Sequence, residues 1–167
     1  MNLDQIVEGD AVIIDANIVL YAIQEASGQC KRLLSRCATE EVRGILPVHV
    51  LAEVMHRLML AEAQDYQWIK GQNPARRLAA LPERVKSLSR YESLVRDLLG
   101  IGLLLEPMHR EDIQAALAIS RQAGLLTNDA LLVAVGQRLR VLAVASADRQ
   151  FERVQNVILY SPDDLPG

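Results

Sequence analysis

Short apolar runs alternate with longer stretches of helical periodicity along the chain, which is the pattern of an α/β protein. The first run, Ala11–Ile14, is apolar at every position, as expected for a strand buried on both faces of a sheet. Further strands are predicted at Gly44–Leu46, Leu103–Leu105, Val141–Ala145 and Val157–Leu159. Because the segments between them are long enough to cross over a sheet, we expect a three-layer α/β/α fold with about five mostly parallel strands.

Helical periodicity predicts six helices, at Asn17–Gln24, Gln29–Cys37, Pro47 to about Ala63, Glu83–Leu99, Glu111–Ala123 and Thr127–Arg140. Pro47 is expected at the first position of its helix, and Thr127 as the N-cap of the last one. Glycine and proline recur in Tyr66–Pro82, which predicts a loop or a short inserted helix. The tail Ser161–Gly167 is predicted to be a loop. The length of 167 residues favours one domain covering residues 1–167.

The composition excludes several classes of protein. Half of the residues are hydrophobic, which is too many for a disordered chain. The longest apolar stretch, Leu98–Leu105, is far shorter than the roughly 18 residues needed to span a bilayer. Met1–Asp10 contains three acids and no base, so it does not resemble a secretory signal. The two cysteines, Cys30 and Cys37, are too few for a disulfide framework and are expected as reduced thiols in a cytoplasmic protein.

The basic residues are unevenly distributed, although the net charge is only −3. Six of the 18 lie between residues 70 and 90, where Glu83 is the one acid. This basic segment, at about residues 66–90, suits the binding of phosphates, and the candidate RNA contacts in it are Arg76, Arg77, Arg84 and Lys86. A solvated helix face, an acidic protein partner and a contact between subunits remain alternative explanations.

Four carboxylates lie near the predicted ends of strands or the starts of helices. Asp15 directly follows the first strand, and Asp148 comes three residues after the fourth. Asp129 lies in the first turn of the last helix, and Glu53 in the second turn of the helix that leaves the second strand. Ligands of open α/β sheets bind at the carboxyl ends of the strands, so these acids are candidate site residues. Each also has a structural explanation, as a helix cap, a dipole partner or a turn residue.

The periodicity of the third helix gives no support for Glu53 as a site residue. With His49 and His56 it forms a polar stripe, while the apolar residues Val50, Leu51, Val54, Met55 and Leu58 face the other way. We therefore expect both histidines to face solvent.

A cluster of carboxylates would favour one kind of chemistry. Clustered anions repel one another unless a cation neutralises them, and hard oxygen ligands select Mg²⁺ or Mn²⁺ over zinc. Such an ion can activate water and stabilise charge on a phosphoryl group. Hydrolysis of a phosphodiester is the reaction that this set of residues suggests.

Four motifs, in order along the chain, resemble those of the PIN domain family, the Mg²⁺-dependent nuclease fold found in VapC-type toxins of toxin–antitoxin pairs. They are Val12–Asn17, Leu51–Val54, Thr127–Leu132 and Ser146–Phe151, followed by the strand Val157–Leu159 and Pro162. A single motif such as Asp-x-Asn is weak, but four in order make a specific match. The segment 66–90 is longer and more basic than a minimal PIN core.

The resemblance implies a function and roles for particular residues. Asp15, Glu53, Asp129 and Asp148 would bind Mg²⁺ or Mn²⁺ and activate water. Asn17, Thr127 and Ser146 would orient them, and Phe151 would pack beneath the site. The implied protein is a metal-dependent endoribonuclease, the toxin of a toxin–antitoxin pair, with RNA as its substrate, a small antitoxin as its partner and a homodimeric assembly.

Three alternative hypotheses can be compared with this one. A haloacid-dehalogenase-like phosphatase needs a second Asp two positions after Asp15, where this chain has Asn17. A response-regulator receiver domain needs an Asp after its third strand and a later Lys, and no Lys follows residue 86. A PIN fold that has lost activity and acts as a protein-interaction or RNA-binding module is the remaining alternative.

Overall fold

The sheet has five strands, and in the computed structural model, which describes residues 1–165, all of them are parallel. The strands are β1 (Ala11–Ile14), β2 (Arg43–Pro47), β3 (Leu104–Glu106), β4 (Ala143–Ala145) and β5 (Ile158–Tyr160). Their order across the sheet is β3-β2-β1-β4-β5. This confirms the predicted α/β class and the predicted number of strands.

Helices cover both faces of the sheet and complete the three-layer α/β/α arrangement. They are α1 (Ala16–Ile23), α2 (Gly28–Ala38), α3 (Val48–Asp65), α4 (Pro74–Ala79), α5 (Pro82–Ser87), α6 (Arg90–Gly100), α7 (Arg110–Ala123) and α8 (Thr127–Leu139). Single 3₁₀ turns lie at Leu3–Gln5 and Arg149–Arg153. Among the described residues, no helix is long and apolar enough to cross a membrane.

The core is centred on β1, where Val12, Ile13 and Ile14 have no exposed surface. Continuous burial along a strand requires helices on both sides of it, which the crossovers of a parallel sheet provide.

Next to β1, Gly44 of β2 lies where a Cβ would come within 2.6 Å of the Cys37 sulfur. Both Cys30 and Cys37 are free and buried. Burial raises the pKa of the Cys37 thiol to about 11.

The predicted helix Glu83–Leu99 is wrong as a single element, because the chain breaks between α5 and α6. Leu88 is extended, with ψ of 131°, and the break is stabilised from another helix. The fully buried Glu62 of α3 accepts hydrogen bonds from the backbone N–H groups of Ser89, Arg90 and Tyr91, at 2.8–3.1 Å. Burial opposes ionisation of Glu62, but these bonds outweigh it and hold its pKa below the usual value. Periodicity does not register a cap supplied by a distant residue.

Several predicted boundaries also differ from the structure. Pro47 is the last residue of β2 and the N-cap of α3, rather than the first helical residue. Thr127 is the first residue of α8, whose N-cap is Leu126, so the side-chain cap predicted for Thr127 does not form. Val141 precedes β4 because its N–H still bonds the Gly136 carbonyl at the end of α8. In the tail, Ser161 bridges to Asn2 and residues up to 165 are irregular. Residues 166–167 of that predicted loop lie outside the described part.

The short helices α4 and α5 lie on a small hydrophobic cluster that is separate from the main core. We call it the satellite cluster, and its buried members are Ala63, Ile69, Leu78 and Leu88. Half-buried side chains, among them Trp68, Val85 and Tyr91, pack around it. The segment Tyr66–Pro82, predicted as a loop or a short helix, is therefore a loop leading into a packed short helix.

The close packing at Gly44 gives a stability prediction. Gly44→Ala places a methyl group within 2.8 Å of Cys37, Leu103 and Ile14, so overpacking should destabilise the fold by roughly 1–3 kcal/mol. Gly100→Ala, where a Cβ meets nothing within 4 Å, is the control and should be neutral or slightly stabilising. Urea unfolding curves measure both. Equal unfolding midpoints for the two variants would contradict this description of the packing.

Candidate active site at the carboxyl edge of the sheet

The site lies where the strand order reverses, between β1 and β4. Ile14 pairs with Ala145 at the ends of these strands, so the next residues, Asp15 and Ser146, become neighbours. The Asp15 N–H bonds the Ala145 carbonyl at 3.0 Å and continues the ladder by one step. Reversal points of this kind open a crevice at the carboxyl edge of a sheet.

The Asp15 carboxylate is fixed in place by three hydrogen bonds, each of 2.6 Å. Its Oδ1 accepts the Ala16 N–H, which makes Asp15 the N-cap of α1. Its Oδ2 accepts the Asn17 side-chain amide and the Ser146 hydroxyl. Asp15 is 9% exposed and Ser146 is fully buried. These bonds fix the plane of the carboxylate before any ligand arrives.

Asn17 and Ser146 also connect Asp15 to the loop that follows β4. The Asn17 amide N–H lies 3.1 Å from the Ser146 hydroxyl oxygen, and its carbonyl oxygen accepts the Ala147 N–H. The Ser146 oxygen accepts the Asp148 N–H at 3.0 Å. Asn17 and Ser146 therefore lie beside Asp15, where the sequence analysis expects orienting groups.

Asp148 begins the 3₁₀ turn Arg149–Arg153 and is oriented by a residue that the sequence analysis did not assign. Its Oδ1 accepts the Gln150 N–H at 2.8 Å, and its Oδ2 accepts the Gln150 side-chain amide at 3.0 Å. Phe151 in the same turn is fully buried. In the sequence, this turn is indicated by an Asp whose side chain can accept a hydrogen bond from the backbone N–H two residues later.

Glu53 lies near the start of α3 and is bonded to the start of α8. Its Oε2 accepts the Asn128 side-chain amide at 2.8 Å, and its Oε1 lies 3.7 Å from the Arg57 guanidinium. The Glu53 side chain is 32% exposed. Glu53 is therefore half-buried at an interhelical contact, whereas periodicity alone places it on the exposed polar stripe of α3.

His49 is half-buried and lies one helical turn before Glu53. Its Nε2 is 3.3 Å from the Asn128 carbonyl oxygen, and burial holds its pKa below the usual value. Its Nδ1 is buried without a hydrogen-bond partner among residues 1–165. The expectation of two solvent-facing histidines is thus correct for His56 only. Met55, expected on the apolar face, is 36% exposed.

Asp129 lies in the first turn of α8 and is half-buried, two residues after the exposed Thr127. In the described part of the chain, the Thr127 hydroxyl makes no hydrogen bond to the four acids. The side chain of this motif that bonds one of them is its neighbour Asn128, which was not assigned a role from the sequence. This contact arises from the packing of α8 against α3, which the local sequence pattern does not reveal.

The four carboxylates are close enough to affect one another electrostatically. Burial raises the pKa of Asp129, the charges of Asp15, Asp148 and Glu53 act in the same direction, and together they bring it to about 6. Burial also raises the pKa of Asp15, against the opposing hydrogen bonds from Ser146 and Ala16, and the charges of Glu53 and Asp148 add to the increase. Both acids are thus held in a place that disfavours their negative charge.

These acids do not form a compact cage by themselves. Within residues 1–165, no three His, Cys, Asp or Glu side chains are grouped closely enough to hold an ion as they stand. The donor set nevertheless fits a hard divalent cation, because it consists of carboxylate oxygens that are partly desolvated and mutually repelling.

A cavity of about 500 Å³ lies elsewhere, at the opposite edge of the sheet. It is lined by residues at the amino ends of β1, β2, β4 and β5, with Arg43 and Arg140 among them. None of the four acids contributes to its wall. The four acids and this cavity therefore lie in different parts of the molecule.

A comparison with models of known protein families identifies the family of this chain. The family model described as the PIN domain matches residues 12–157, and the chain belongs to the PIN domain family. No curated protein shows significant sequence similarity to the chain.

Two solved structures share the fold at low sequence identity. A chain in the crystal structure of VapBC2 from Rickettsia felis, bound to a DNA fragment from their promoter, is 18% identical, with a TM-score of 0.59, over 92% of this chain and 99% of that one. A chain in a toxin–antitoxin complex from Klebsiella pneumoniae is 15% identical, with a TM-score of 0.58, over 88% and 95% of the two chains.

The raised pKa of Asp129 gives a prediction for stability against pH. As the pH rises from about 4 to 6, the unfolded chain releases the Asp129 proton before the native state does, so the fold loses stability over this range and bears the full cost above about pH 6. Asp129→Asn removes that cost. In EDTA at pH 7 the variant should be more stable than the wild type by about 1–2 kcal/mol, allowing for solvent screening of a half-buried group.

The pH dependence separates this effect from a general one. As the pH falls from 6 to 4, the native Asp129 takes up a proton that the unfolded chain does not yet bind, so the advantage of Asp129→Asn should disappear. Asp97→Asn, at an exposed position in α6, is the control and should follow the wild type at every pH. Thermal melts across this range measure the effect. A difference that is independent of pH would contradict it.

Proposed function

We propose that this PIN domain is a Mg²⁺- or Mn²⁺-dependent endoribonuclease that hydrolyses RNA phosphodiester bonds. The observation that carries the proposal is that the pKa values of Asp15 and Asp129, at the carboxyl edge of the sheet, are raised by burial and by the nearby charges of Glu53 and Asp148. Gathering four anions does not stabilise the folded protein. A bound cation that neutralises them and takes part in the reaction would explain the arrangement.

Each acid has a distinct place in this proposal. Asp15, Asp129 and Asp148 would hold the ion, and Glu53 would be a further ligand or the base that positions water. When bound, such an ion stabilises charge on the phosphoryl group and favours attack by water. Ser146 and Asn17 keep Asp15 in one orientation, and Gln150 does the same for Asp148. Asn128 holds Glu53 against the start of α8.

We also propose that the protein is the toxin of a toxin–antitoxin pair, acts as a homodimer, and has a small antitoxin as its partner. The four family motifs support a VapC-type toxin, and two structures with the same fold contain toxin–antitoxin proteins. Co-expression of the chain with the product of a short neighbouring gene, followed by size-exclusion chromatography, tests the pairing. Absence of a complex and of growth inhibition by the chain alone would contradict the toxin assignment.

Removing one charge should abolish cleavage without unfolding the protein. Asp15→Asn and Asp129→Asn each preserve the shape of the side chain and delete a charge that the cation needs. Cleavage of RNA at saturating Mn²⁺ should fall by at least about 100-fold in both purified variants.

Asp97→Asn is the matched control for this experiment, because it makes the same chemical change at an exposed position outside the site. It should cleave RNA as the wild type does. Equal cleavage in the wild type and both site variants would remove the four acids from the mechanism. A folded wild type that binds RNA and cleaves none would favour the alternative of an inactive RNA-binding module.

The metal should also act as a ligand of the native state. Mn²⁺ at about 100 times its dissociation constant should stabilise the fold by roughly 2.7 kcal/mol, because the unfolded chain has no such cluster. The thermal shift should be retained in Asp97→Asn and lost in Asp129→Asn. A melting temperature that does not respond to Mn²⁺, or responds equally in the two variants, would argue against the site.

A further inference from the structure

Two aromatic side chains stack on each other at the end of α3, outside the acidic site. The rings of Tyr66 and Trp68 have centroids 4.6 Å apart and planes 22° from parallel. Residues two apart point in different directions on a helix, but Gln67 between them adopts the left-handed conformation, with φ of 58°. That turn ends α3 and brings the rings together. Tyr66 remains 52% exposed.

One basic side chain contacts this pair, and five more lie in the same segment of the chain. The Arg84 guanidinium lies over the Trp68 ring, 4.8 Å from its centroid, in a cation–π contact. Lys86 pairs with Glu83, and Arg90 with Asp65. The other four bases of the segment have no carboxylate partner among residues 1–165; they are Lys70, Arg76, Arg77 and Arg84.

The aromatic pair is held rigidly from below. Trp68 is half-buried and packs on the satellite cluster, and its backbone N–H bonds the Ala63 carbonyl at 3.0 Å. Glu62, next to Ala63, fixes the start of α6 through three backbone N–H groups. A ligand that stacks on Tyr66 therefore meets a ring that already lies against the half-buried Trp68, which lowers the entropy cost of ordering it.

The position of this pair relative to the acids suits a long substrate. Glu53 lies near the start of α3 and Tyr66 follows thirteen residues later, which is about 20 Å along the helix axis. A ligand that touches both ends must be an extended polymer.

We propose that Tyr66, Trp68 and Arg84 form a stacking platform for an unpaired base of single-stranded RNA, with the neighbouring phosphates bound by Lys70, Arg76 and Arg77. The combination favours nucleic acid over an acidic protein. Unpaired cations would serve either ligand, but a preformed, exposed aromatic ring is used fully only by a flat π-system. The inference rests on the proposed function for the identity of its polymer and adds the place where an unpaired stretch is held.

Trp68 is the single tryptophan of the chain, so its fluorescence reports on the platform directly. The probe is an oligoadenylate of about twelve nucleotides, titrated in EDTA so that cleavage plays no part. We expect binding to quench Trp68 emission. Inorganic polyphosphate of similar length should bind more weakly and leave the emission nearly unchanged, because it has charge without bases.

Stacking and charge are separated by two kinds of variant. Tyr66→Ala should weaken oligoadenylate binding about 5- to 100-fold and leave its salt dependence unchanged, whereas Tyr66→Phe should stay within about twofold of the wild type. Arg76→Gln should flatten the slope of log affinity against log salt by about 0.7. Arg121→Gln, an exposed change in α7, is the charge control and should leave the slope unchanged.

Two results would overturn the platform: unchanged affinity in Tyr66→Ala, or equal binding and quenching by polyglutamate, which would identify an acidic protein as the ligand. These outcomes are distinct from failure of the nuclease proposal. A wild type that is quenched by oligoadenylate but cleaves no RNA with Mn²⁺ retains the platform and loses the activity. A protein that cleaves RNA but shows no effect of Tyr66→Ala on binding retains the activity and loses the platform.

Discussion

Parallel strands bring their carboxyl ends to the same edge of a sheet, and in this chain that edge collects negative charge. The repulsion between the carboxylates there has to be offset within the fold. Three short hydrogen bonds, from the helix that Asp15 caps and from the neighbouring loop, offset part of this cost for Asp15, the most buried of the four, but its pKa still lies above the ordinary value. Asp129 has no comparable set of donors among residues 1–165, and its charge remains costly, with its pKa raised to about 6. Both carboxylates therefore carry an electrostatic cost, and hydrogen bonds compensate part of that cost for Asp15.

The two halves of the site are built differently. Asp15 and Asp148 leave adjacent strands and share the Ser146 hydroxyl as a common point of attachment, so the register of β1 and β4 sets their relative position. Glu53 and Asp129 are placed by helices instead, and Asn128 bonds the first of them across the contact between α3 and α8. A change in the packing of α3 against α8 would therefore act directly on the second pair. The positions of Glu53 and Asp129 thus depend on helix packing, whereas the position of Asp15 depends on the sheet.

How far the sequence predicts this arrangement depends on the range of each interaction. Asp15 was identifiable because a strand buried on both faces has an unmistakable apolar run and its end is therefore known. The periodicity of α3 placed Glu53 among solvated residues, because the partner that half-buries it comes from the start of α8. The break between α5 and α6 was missed for the same reason, since its cap is the distant Glu62. Family motifs compensated for Glu53 but contain nothing comparable for the segment 66–90.

The manner in which that segment is attached has an evolutionary consequence. Asp65 and Arg90 pair across its base, and Glu62 fixes the residue where the chain returns, so its two ends meet at one point on α3. The residues between them pack on their own small cluster and contribute nothing to the sheet. Changes of length or sequence there are therefore expected to leave the four acids at the carboxyl edge of the sheet in place. Related chains can therefore diversify in this region as a cassette, acquiring new recognition surfaces while retaining an unchanged scaffold.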